Sequence, residues 1–352
     1  MKEYNLKKVS IYLGHDIFET LLENLIVGSY SQVFVLVDEN TEKYCVHLLD
    51  KYLFDTKVIK ISSGEQHKNI ETTQFIWNEF QRLNADRHSV LINLGGGVIG
   101  DIGGFCASTF KRGFDFINVP TTLLAMIDSS IGGKLGIDFN GYKNAIGLIK
   151  NPKAVYINPD FLNTLPKDEI VNGYAEILKH ALIANEDFWE KLLATNIDDR
   201  QKISSIITEN IKIKTKIVAK DPYEESTRKA LNFGHTIGHA IESYSLKHDS
   251  KPLKHGECVA IGMICEAFLS REMIDLSNKE LKSISDQVLK YFPKYSLRSV
   301  LSPDLIKLMY HDKKNMGEGI NFTLLKRIGK ASINHICSEH QIARALNYYD
   351  SL

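Results

Sequence analysis

Short apolar runs alternate with amphipathic stretches in the part of the chain before Pro159. The runs Ser31–Val37, Lys57–Ile61, Ser89–Leu94 and Phe116–Val119 are rich in Val, Ile, Leu and Phe and end at polar residues, glycines or proline, which predicts strands. Between them, Thr72–Leu83 has the three- and four-residue spacing of a helix. Strands that alternate with helices favour an α/β fold, with a parallel sheet covered on both faces.

From Pro159 onward the pattern changes to helical spacing. Strand signals are scarce there apart from Asn321–Leu325, so we predict a mostly α-helical second part. The prolines at 152 and 159 indicate a domain boundary close to this change of pattern. We therefore predict domains 1–158 and 159–352. The predicted helices are Lys167–Ala184, Phe188–Thr195, Gln201–Ala219, Thr227–Tyr244, Gly256–Met273 and Lys279–Tyr291.

Composition excludes several classes of partner. Among 352 residues, Lys plus Arg equals Asp plus Glu at 43 each, so nothing indicates binding to nucleic acid or to a membrane surface. The N-terminal residues lack the apolar region of a signal peptide, and no apolar run is long enough to span a bilayer. Five dispersed cysteines without a CxxC pair indicate free thiols in a reducing compartment. We therefore expect a soluble cytoplasmic protein.

A glycine-rich loop follows the third predicted strand. Gly95, Gly97 and Gly100 satisfy G-x-G-x-x-G, a spacing that lets backbone N–H groups approach a pyrophosphate at a helix N-terminus. Asp38 ends an earlier strand, where a carboxylate can hold a ribose, and Thr121 directly follows Pro120 at another strand end. The alternative is a tight packing turn without a ligand, because the loop lies in mid-domain rather than in the first βα turn.

Histidines and a glutamate form a candidate metal site. His235 and His239 lie four residues apart, so a helix places both on one face, and His255 follows twenty residues after His235. Glu176 supplies a carboxylate, with Lys179 three residues later. One carboxylate and two imidazoles suit zinc and leave a position open for catalysis. The spacing does not decide between His235 and His239, and each histidine could instead be a packing or surface residue.

Cationic and amide side chains interrupt apolar or glycine-rich stretches. Such groups form charge-assisted hydrogen bonds to phosphate and carboxylate, although a lysine is more often a solvated surface charge. Lys134 and Lys143 are the stronger candidates because each follows a turn. The full set is Arg112, Asp128, Lys134, Lys143, Asn144, Lys179, Lys214, Arg228, Asn232, Asp312, Lys313 and Lys314.

Taken together, these segments resemble the 3-dehydroquinate synthase family of sugar phosphate cyclases. The resemblance implies a Rossmann-like NAD domain, a helical C-terminal domain and an active site in the cleft between them. Local departures are Leu135, the segment 148–152, and Pro222-Tyr223 within an acidic stretch; none removes a metal ligand or a cationic site residue. The motifs that carry the resemblance are SGEQHK (63–68), GGGVIGD (95–101), PTTLLAMIDSSIGGK (120–134), KNAIG (143–147), FLNTLP (161–166), GYAEILKHALI (173–183), RKALNFGHTIGHAIE (228–242), KHGE (254–257) and HDKK (311–314).

The resemblance also implies residue roles. Glu176, His235 and His255 match the family's metal ligands, and His239 matches a residue that the family places near the substrate. The other positions matching the family's substrate site are Arg112, Asp128, Lys134, Asn144, Lys179, Lys214, Arg228, Asn232, and Lys313 or Lys314. The positions matching its NAD site are Asp38, Ser63, Gly64, Glu65, Gln66, His67, Lys68, Gly97, Val98, Ile99, Gly100, Asp101, Thr121, Thr122, Lys134, Lys143, Phe161, Leu162, Asn163 and Thr164.

The implied reaction is a lyase reaction of the shikimate pathway on a phosphorylated keto-acid sugar, with catalytic NAD+ and Zn2+, for which Co2+ could substitute. A homodimer is implied as well. Three alternatives remain open: a metal-dependent polyol dehydrogenase of similar architecture, a cyclase for another sugar phosphate, and a non-catalytic NAD-binding regulator.

Overall fold

The computed structural model describes residues 1–6, 9–53, 55–140, 142–297, 302–310 and 319–352, without the side chains of 200, 201, 302 and 303. The chain divides into two compact units. The first comprises Met1–Ile170 and Lys214–Ala219, and the second comprises Val171–Ile213 and Lys220–Leu352. The division into domains 1–158 and 159–352 stays a prediction.

A seven-stranded sheet forms the centre of the first unit. Its spatial order is β1-β2-β9-β6-β5-β3-β4; only the β1–β2 pair is antiparallel. A separate antiparallel hairpin joins β7 and β8. The strands are β1 Lys2–Leu6, β2 Val9–Leu13, β3 Val33–Asp38, β4 Lys57–Ile61, β5 Val90–Gly95, β6 Asp115–Pro120, β7 Lys134–Phe139, β8 Tyr142–Ile149 and β9 Ala154–Ile157.

Helices cover this sheet because its central strands are apolar on both faces. All six residues of β5 are buried, as a strand inside a covered parallel sheet requires. Phe80 and Ile102 belong to the same buried cluster as Phe34 and Leu36 of β3. The helices of this part of the chain are α1 Phe18–Gly28, α2 Glu39–Tyr44, α3 Ile70–Arg82 and α4 Gly97–Thr109.

The second unit is mainly helical. Its most deeply buried helix is α9, His255–Ile274, in which every residue from Gly256 to Ser270 except Glu257 is buried. An antiparallel hairpin, β10 Ile320–Arg327 with β11 Lys330–Cys337, accompanies the helices. The helices from residue 167 to the C-terminus are α5 Lys167–Ala184, α6 Glu186–Leu193, α7 Arg200–Lys220, α8 His235–His248, α9 His255–Ile274, α10 Asn278–Tyr291, α11 Ser302–Tyr310 and α12 Glu339–Ser351.

One predicted helix, Thr227–Tyr244, is wrong as a single element. A short 3₁₀ turn over Thr227–Asn232 ends first, and α8 begins at His235. Between them, Gly234 has a φ of 79°, in the left-handed region. A Cβ there would lie 3.0 Å from the carbonyl oxygen of Val259, so a side chain is disfavoured on two grounds.

The predicted fold class is confirmed, with a parallel Rossmann-like sheet in the first unit and mainly helices in the second. The strands predicted before Pro120 and the long C-terminal helices lie within a few residues of the observed ones. The sequence analysis missed six strands and four helices, namely β1, β2, β7, β8, β9 and β11, and α1, α2, α11 and α12. Within the described residues, no helix is both long and apolar enough to cross a membrane.

All five cysteines are buried free thiols, as predicted. Burial raises the pKa of Cys45 and of Cys337 to about 12, with nearby carboxylates adding to the shift. These thiols are therefore protonated at neutral pH, and the packing of the chain does not use a disulfide.

Candidate functional site

Three helices of the second unit bring one carboxylate and two imidazoles together. Glu176 lies in the middle of α5, while His235 and His255 are the first residues of α8 and α9. Oε1 of Glu176 lies 3.4 Å from Nε2 of His235 and 3.5 Å from Nε2 of His255. One ligand atom from each residue lies within 4.8 Å of the others.

The hydrogen bonds of the two imidazoles orient them for metal binding. Nδ1 of His235 lies 3.2 Å from the carbonyl oxygen of Phe233, and Nδ1 of His255 lies 3.2 Å from Oε2 of Glu242. Each oxygen accepts from Nδ1–H, so Nε2, which faces Glu176, is the ring atom available to a metal ion. Ligands bound tetrahedrally at about 2.0–2.1 Å from Zn2+ lie about 3.3 Å apart. The separations of 3.4 and 3.5 Å fit that spacing.

The local charges differentiate the two histidines. Burial lowers the pKa of His235 well below its ordinary value, and the nearby charge of Lys179 adds to this effect. Burial also opposes a charge on His255, but Glu242 and Glu176 outweigh it and raise the pKa of His255 to about 10. His235 is therefore neutral at neutral pH, whereas a metal ion binding at His255 would have to displace a strongly held proton.

A buried lysine and a third histidine border this cluster. Lys179, one turn after Glu176 on α5, is 1% exposed and forms an ion pair with Glu176 Oε2. The ring of His239 lies 5.1 Å from the ring of His235 and 5.9 Å from that of His255. The second unit therefore holds a compact set of one carboxylate, three imidazoles and one ammonium group.

A tight loop after α7 leads into the 3₁₀ turn that carries Arg228 and Asn232. The carboxylate of Asp221 accepts hydrogen bonds from the N–H groups of Glu225, Ser226 and Arg228 at 3.0, 2.7 and 2.9 Å. The buried Arg228 guanidinium donates to the Pro222 carbonyl, and the Asn232 amide donates to Glu224. Asp221 thus stabilises an ordered loop over Pro222 and Tyr223, the segment that departs from the family's acidic stretch.

We expect Asp221→Asn to destabilise this loop. Burial alone raises the pKa of Asp221, but three N–H donors outweigh it and lower that pKa to about 2. Because the folded pKa is depressed, the stabilisation is present above the ordinary value of 3.8 and is lost as the pH falls through about 2. Urea unfolding at neutral pH should show a loss of about 1 kcal/mol or more. The acid-side pH dependence should be flatter than in the wild type; an unchanged acid profile would contradict the assignment.

The first unit presents a second candidate site at the carboxyl ends of its strands. The chain goes from β3 outward to β4 and then crosses back to β5, so the strand order reverses between β3 and β5. Ligands of open parallel sheets bind at such a switch point. Asp38 ends β3, the glycine loop follows β5, and Thr121 follows β6. Asp38 also caps α2, accepting from the Thr41 N–H at 2.8 Å.

The glycines of this loop differ in their surroundings. A Cβ on Gly103 would overlap the side-chain oxygen of Asn93, and one on Gly104 would lie 2.5 Å from Leu135, so α4 packs closely on the sheet. A Cβ on Gly100 would have no heavy atom within 4 Å. Gly100 therefore faces open space beside the N-terminus of α4, which begins at Gly97, and this space suits a phosphate group.

A buried lysine links several predicted residues of the first unit. Nζ of Lys68 lies 2.9 Å from Oδ1 of Asn144, 3.2 Å from Glu65 and 3.4 Å from Asp101. Lys143 lies 3.4 Å from the same Glu65 carboxylate. Burial and the charge of Glu65 raise the pKa of Asp101 to about 6, against the opposing effect of Lys68. Asn144, predicted at the substrate, is thus in direct contact with Lys68, predicted at the dinucleotide.

The remaining predicted residues are dispersed. Lys214 forms a buried ion pair with Asp128, which lies in a single π-helical turn over Ala125–Ser129. Arg112 and Lys134 are exposed, whereas Phe161 and Leu162 are buried and Phe161 packs against Phe18. Lys313 and Lys314 lie outside the described residues. Ser63, Gly64, Gln66 and His67 follow β4; Val98 and Ile99 lie in α4; Thr122 follows β6; Asn163 and Thr164 are exposed after β9.

Comparison with protein families covers both units. The model of the 3-dehydroquinate synthase N-terminal domain matches residues 58–172, and that of its C-terminal domain matches residues 173–315. The chain belongs to the 3-dehydroquinate synthase family. A 3-dehydroquinate synthase from Parabacteroides distasonis is 38% identical over 348 residues, which cover 98% of each chain. The chain is thus a member of an enzyme family along nearly its whole length.

Solved structures share the fold of this 3-dehydroquinate synthase family member. A 2-deoxy-scyllo-inosose synthase complexed with carbaglucose-6-phosphate, NAD+ and Co2+ superposes with a TM-score of 0.88 at 22% identity, over 99% of both chains. A 2-epi-5-epi-valiolone synthase from Streptomyces hygroscopicus, with NAD+ and Zn2+ bound, has a TM-score of 0.85 at 24% identity, over 100% of this chain and 98% of that one.

Three buried polar residues of this family member were missed by sequence reasoning. Asn172 on α5 accepts from the N–H of Gly256 at 2.7 Å and so joins α5 to the start of α9. Glu242 bonds His255, and Glu266 bonds the N-terminus of α8. One signal was available for Glu242: it lies seven residues after His235 and therefore on the same helical face. Glu266 and Asn172 act on backbone groups, which leave no sequence pattern.

Proposed function

We propose that the chain is a 3-dehydroquinate synthase, a carbon–oxygen lyase of the shikimate pathway. Its substrate would be 3-deoxy-D-arabino-heptulosonate 7-phosphate, and its products 3-dehydroquinate and phosphate. The observation that carries the proposal is the convergence of Glu176, His235 and His255 with Lys179, in a chain of this family. A carboxylate, two imidazoles and an ammonium group match a substrate with hydroxyl, carboxylate and phosphate groups.

Glu176, His235 and His255 would hold Zn2+, with Co2+ as a substitute. The proposal is supported by the Nε2 atoms that face Glu176 and by separations that fit tetrahedral coordination. When bound, the ion supplies Lewis acidity, which lowers the pKa of a coordinated substrate hydroxyl. Three protein ligands leave room for the substrate in the coordination sphere. The ion pair with Glu176 would hold the Lys179 ammonium next to the bound hydroxyls, where it donates hydrogen bonds.

His239 is the residue we propose for moving a proton. It is half-buried, it lies on the same face of α8 as His235, and no metal-ligand role is needed for it. An imidazole nitrogen of His239 would hold the proton that travels with the leaving phosphate. Lys134 and Asn144 are proposed for the phosphate itself, and Arg228 and Lys214 for the substrate carboxylate. Asn232, Asp128, Arg112 and Lys313 or Lys314 are proposed to complete the site.

The crevice between β3 and β5 would bind NAD+. When bound, NAD+ supplies a hydride acceptor that is regenerated in the same catalytic cycle. The N-terminus of α4 and the open space at Gly100 suit its pyrophosphate, and Asp38 at the end of β3 suits a ribose. Lys68, Asp101 and Lys143 would position the rest of the cofactor through the contacts of their cluster.

A substitution at Gly100 should separate cofactor binding from folding. Because a Cβ at Gly100 meets nothing in the protein, Gly100→Ala should leave the unfolding temperature unchanged or raise it, since alanine favours a helix by about 1 kcal/mol. The same methyl group would occupy the space proposed for a phosphate, so we expect NAD+ to bind at least about tenfold more weakly, equivalent to about 1.4 kcal/mol. Calorimetric titration with NAD+ measures this; equal affinity would remove the pyrophosphate from this position.

The reaction is tested directly with purified protein. Incubation with 3-deoxy-D-arabino-heptulosonate 7-phosphate, Zn2+ and NAD+ should release phosphate and 3-dehydroquinate in equal amounts, with many turnovers per NAD+. Absence of phosphate release with metal present would contradict the proposal. Net accumulation of NADH would indicate a polyol dehydrogenase instead. Turnover of a different sugar phosphate in a substrate panel would indicate another cyclase, and binding of NAD+ without any turnover would indicate a regulator.

We also propose a homodimer as the assembly that carries this activity. The proposal rests on the family, in which we expect Arg112 to join the site, and Arg112 is exposed on the first unit. Light scattering after size-exclusion chromatography should give about twice the chain mass of 39.9 kDa. A mass of one chain at the concentrations used for the assay would contradict it.

A further inference from the structure

Two buried carboxylates of the second unit have no role in the proposed chemistry. Glu242 on α8 is 4% exposed, and Glu266 on α9 is fully buried. A buried carboxylate costs free energy unless hydrogen bonds or charges compensate it, and each of these two has such partners.

Glu266 binds the beginning of the neighbouring helix. Its Oε2 accepts from the N–H of Gly234 at 2.5 Å, and its Oε1 accepts from the N–H of Ile237 at 3.2 Å. Gly234 occupies the N-cap position of α8, and as a glycine it has no side chain to cap the helix. The carboxylate from α9 therefore replaces the missing cap and compensates the positive end of the helix dipole. The residue fixed by this cap is His235, the first of α8.

Glu242 connects the same two helices the other way round, from α8 to the start of α9. It lies on α8, and its Oε2 accepts from Nδ1–H of His255 at 3.2 Å. His255 is the first residue of α9. Glu242 follows His235 by seven residues, about two helical turns, and Glu266 follows His255 by eleven, about three turns. Each helix therefore presents its N-terminal histidine and its carboxylate on one face.

We infer that Glu242 and Glu266 form a reciprocal carboxylate pair, in which each of the two helices positions the N-terminal histidine of the other for metal binding. Glu242 fixes the ring of His255 directly, and Glu266 fixes the backbone that carries His235. The inference rests on the proposed metal site. Both residues are positioning residues for the site formed by Glu176, His235 and His255, because neither belongs to that group of ligands.

Zinc affinity tests this pair. The metal-free wild type, Glu242→Gln and Glu266→Gln are titrated with Zn2+ in competition with a chromophoric chelator. Each substitution removes a negative charge that orients a ligand, so we expect zinc to bind about 10–100-fold more weakly. Glu280→Gln is the matched control: Glu280 also caps a helix of the second unit, accepting from Ser277 and Ile328, and should bind zinc like the wild type.

Coupling to individual ligands distinguishes positioning from general stability. The loss caused by Glu242→Gln should disappear when His255 is already replaced by alanine, and the loss caused by Glu266→Gln should disappear when His235 is replaced. Stability is measured in parallel by unfolding of the metal-free proteins. Variants that are less stable but bind zinc like the wild type would overturn the inference. If Glu266→Gln does not fold, the result for Glu242→Gln decides.

Failure of the metal site itself gives a different result. A wild type that binds no zinc in the chelator competition overturns the proposed function together with this inference. A wild type that binds one zinc per chain, with both glutamine variants equal to it, overturns only the reciprocal pair.

Discussion

Replacing Glu176 by glutamine is expected to remove bound zinc and to lower kcat/KM by about 10³-fold or more. The carboxylate is the one negative group among the three proposed ligands, and the ion it would hold contributes several kcal/mol to catalysis, at about 1.4 kcal/mol per factor of ten. Metal content is measured by atomic emission after dialysis, and activity by phosphate release.

The same substitution should also destabilise the metal-free protein. Glu176 and Lys179 are both almost completely buried and form an ion pair. Breaking such a pair leaves an uncompensated buried charge, at a cost of about 3–5 kcal/mol. Glu190→Gln, at an exposed position on the following helix α6, is the control and should keep zinc, activity and stability. If Glu176→Gln retained full zinc content, the ligand assignment would be wrong.

Gly262→Ala is expected to be strongly destabilising. A Cβ at this position in α9 would overlap the carbonyl oxygen of Gly234 and lie 2.9 Å from the nitrogen of Gly238. These are backbone atoms, which cannot move away as a flexible side chain can. Overpacking costs about 1–3 kcal/mol, and we expect about 3 kcal/mol or more here despite the better helix propensity of alanine.

This substitution should also affect metal binding. Gly234 precedes His235, so separating α8 from α9 would move one histidine relative to the other. Denaturant unfolding gives the stability, and competition with a chelator gives the zinc affinity. Gly100→Ala is the matched control, since the same methyl group there meets no heavy atom within 4 Å. Equal loss in both variants would mean that the effect comes from the sequence change and not from the helix crossing.

The hydrophobic pattern was sufficient for four strands of the central sheet, β3 to β6, and for the long helices. A strand such as Val90–Gly95 is buried on both faces and reads as a continuous apolar run, and a helix such as Asn278–Tyr291 has one apolar face. The hairpin strand Tyr142–Ile149 was missed because most of its residues are exposed or half-exposed, so no alternation marks it. The break at Gly234 was missed because it depends on the neighbouring helix α9, which the local sequence does not specify.

The candidate site was predictable in its residue types but not in its geometry. His235 and His239 share a helical face, so their spacing alone left both open as ligands. In the structure, Nε2 of His235 faces Glu176 at 3.4 Å, which supports His235 as the proposed ligand. His239 belongs to a second group of possible ligand atoms, with Glu242 and His255. The contacts of Glu266 and Asn172 could not be predicted, because a side chain that bonds a distant backbone N–H has no characteristic spacing.

The buried thiols can be used to measure local unfolding of each unit. Alkylating reagents react with thiolates, and burial holds the pKa of Cys265 far above neutral, so a closed molecule resists modification. Cys45 and Cys106 lie in the first unit, whereas Cys258, Cys265 and Cys337 lie in the second. The alkylation rate of each group of thiols therefore reports how often its own unit unfolds locally. A ligand that slows alkylation in one unit alone must bind to that unit.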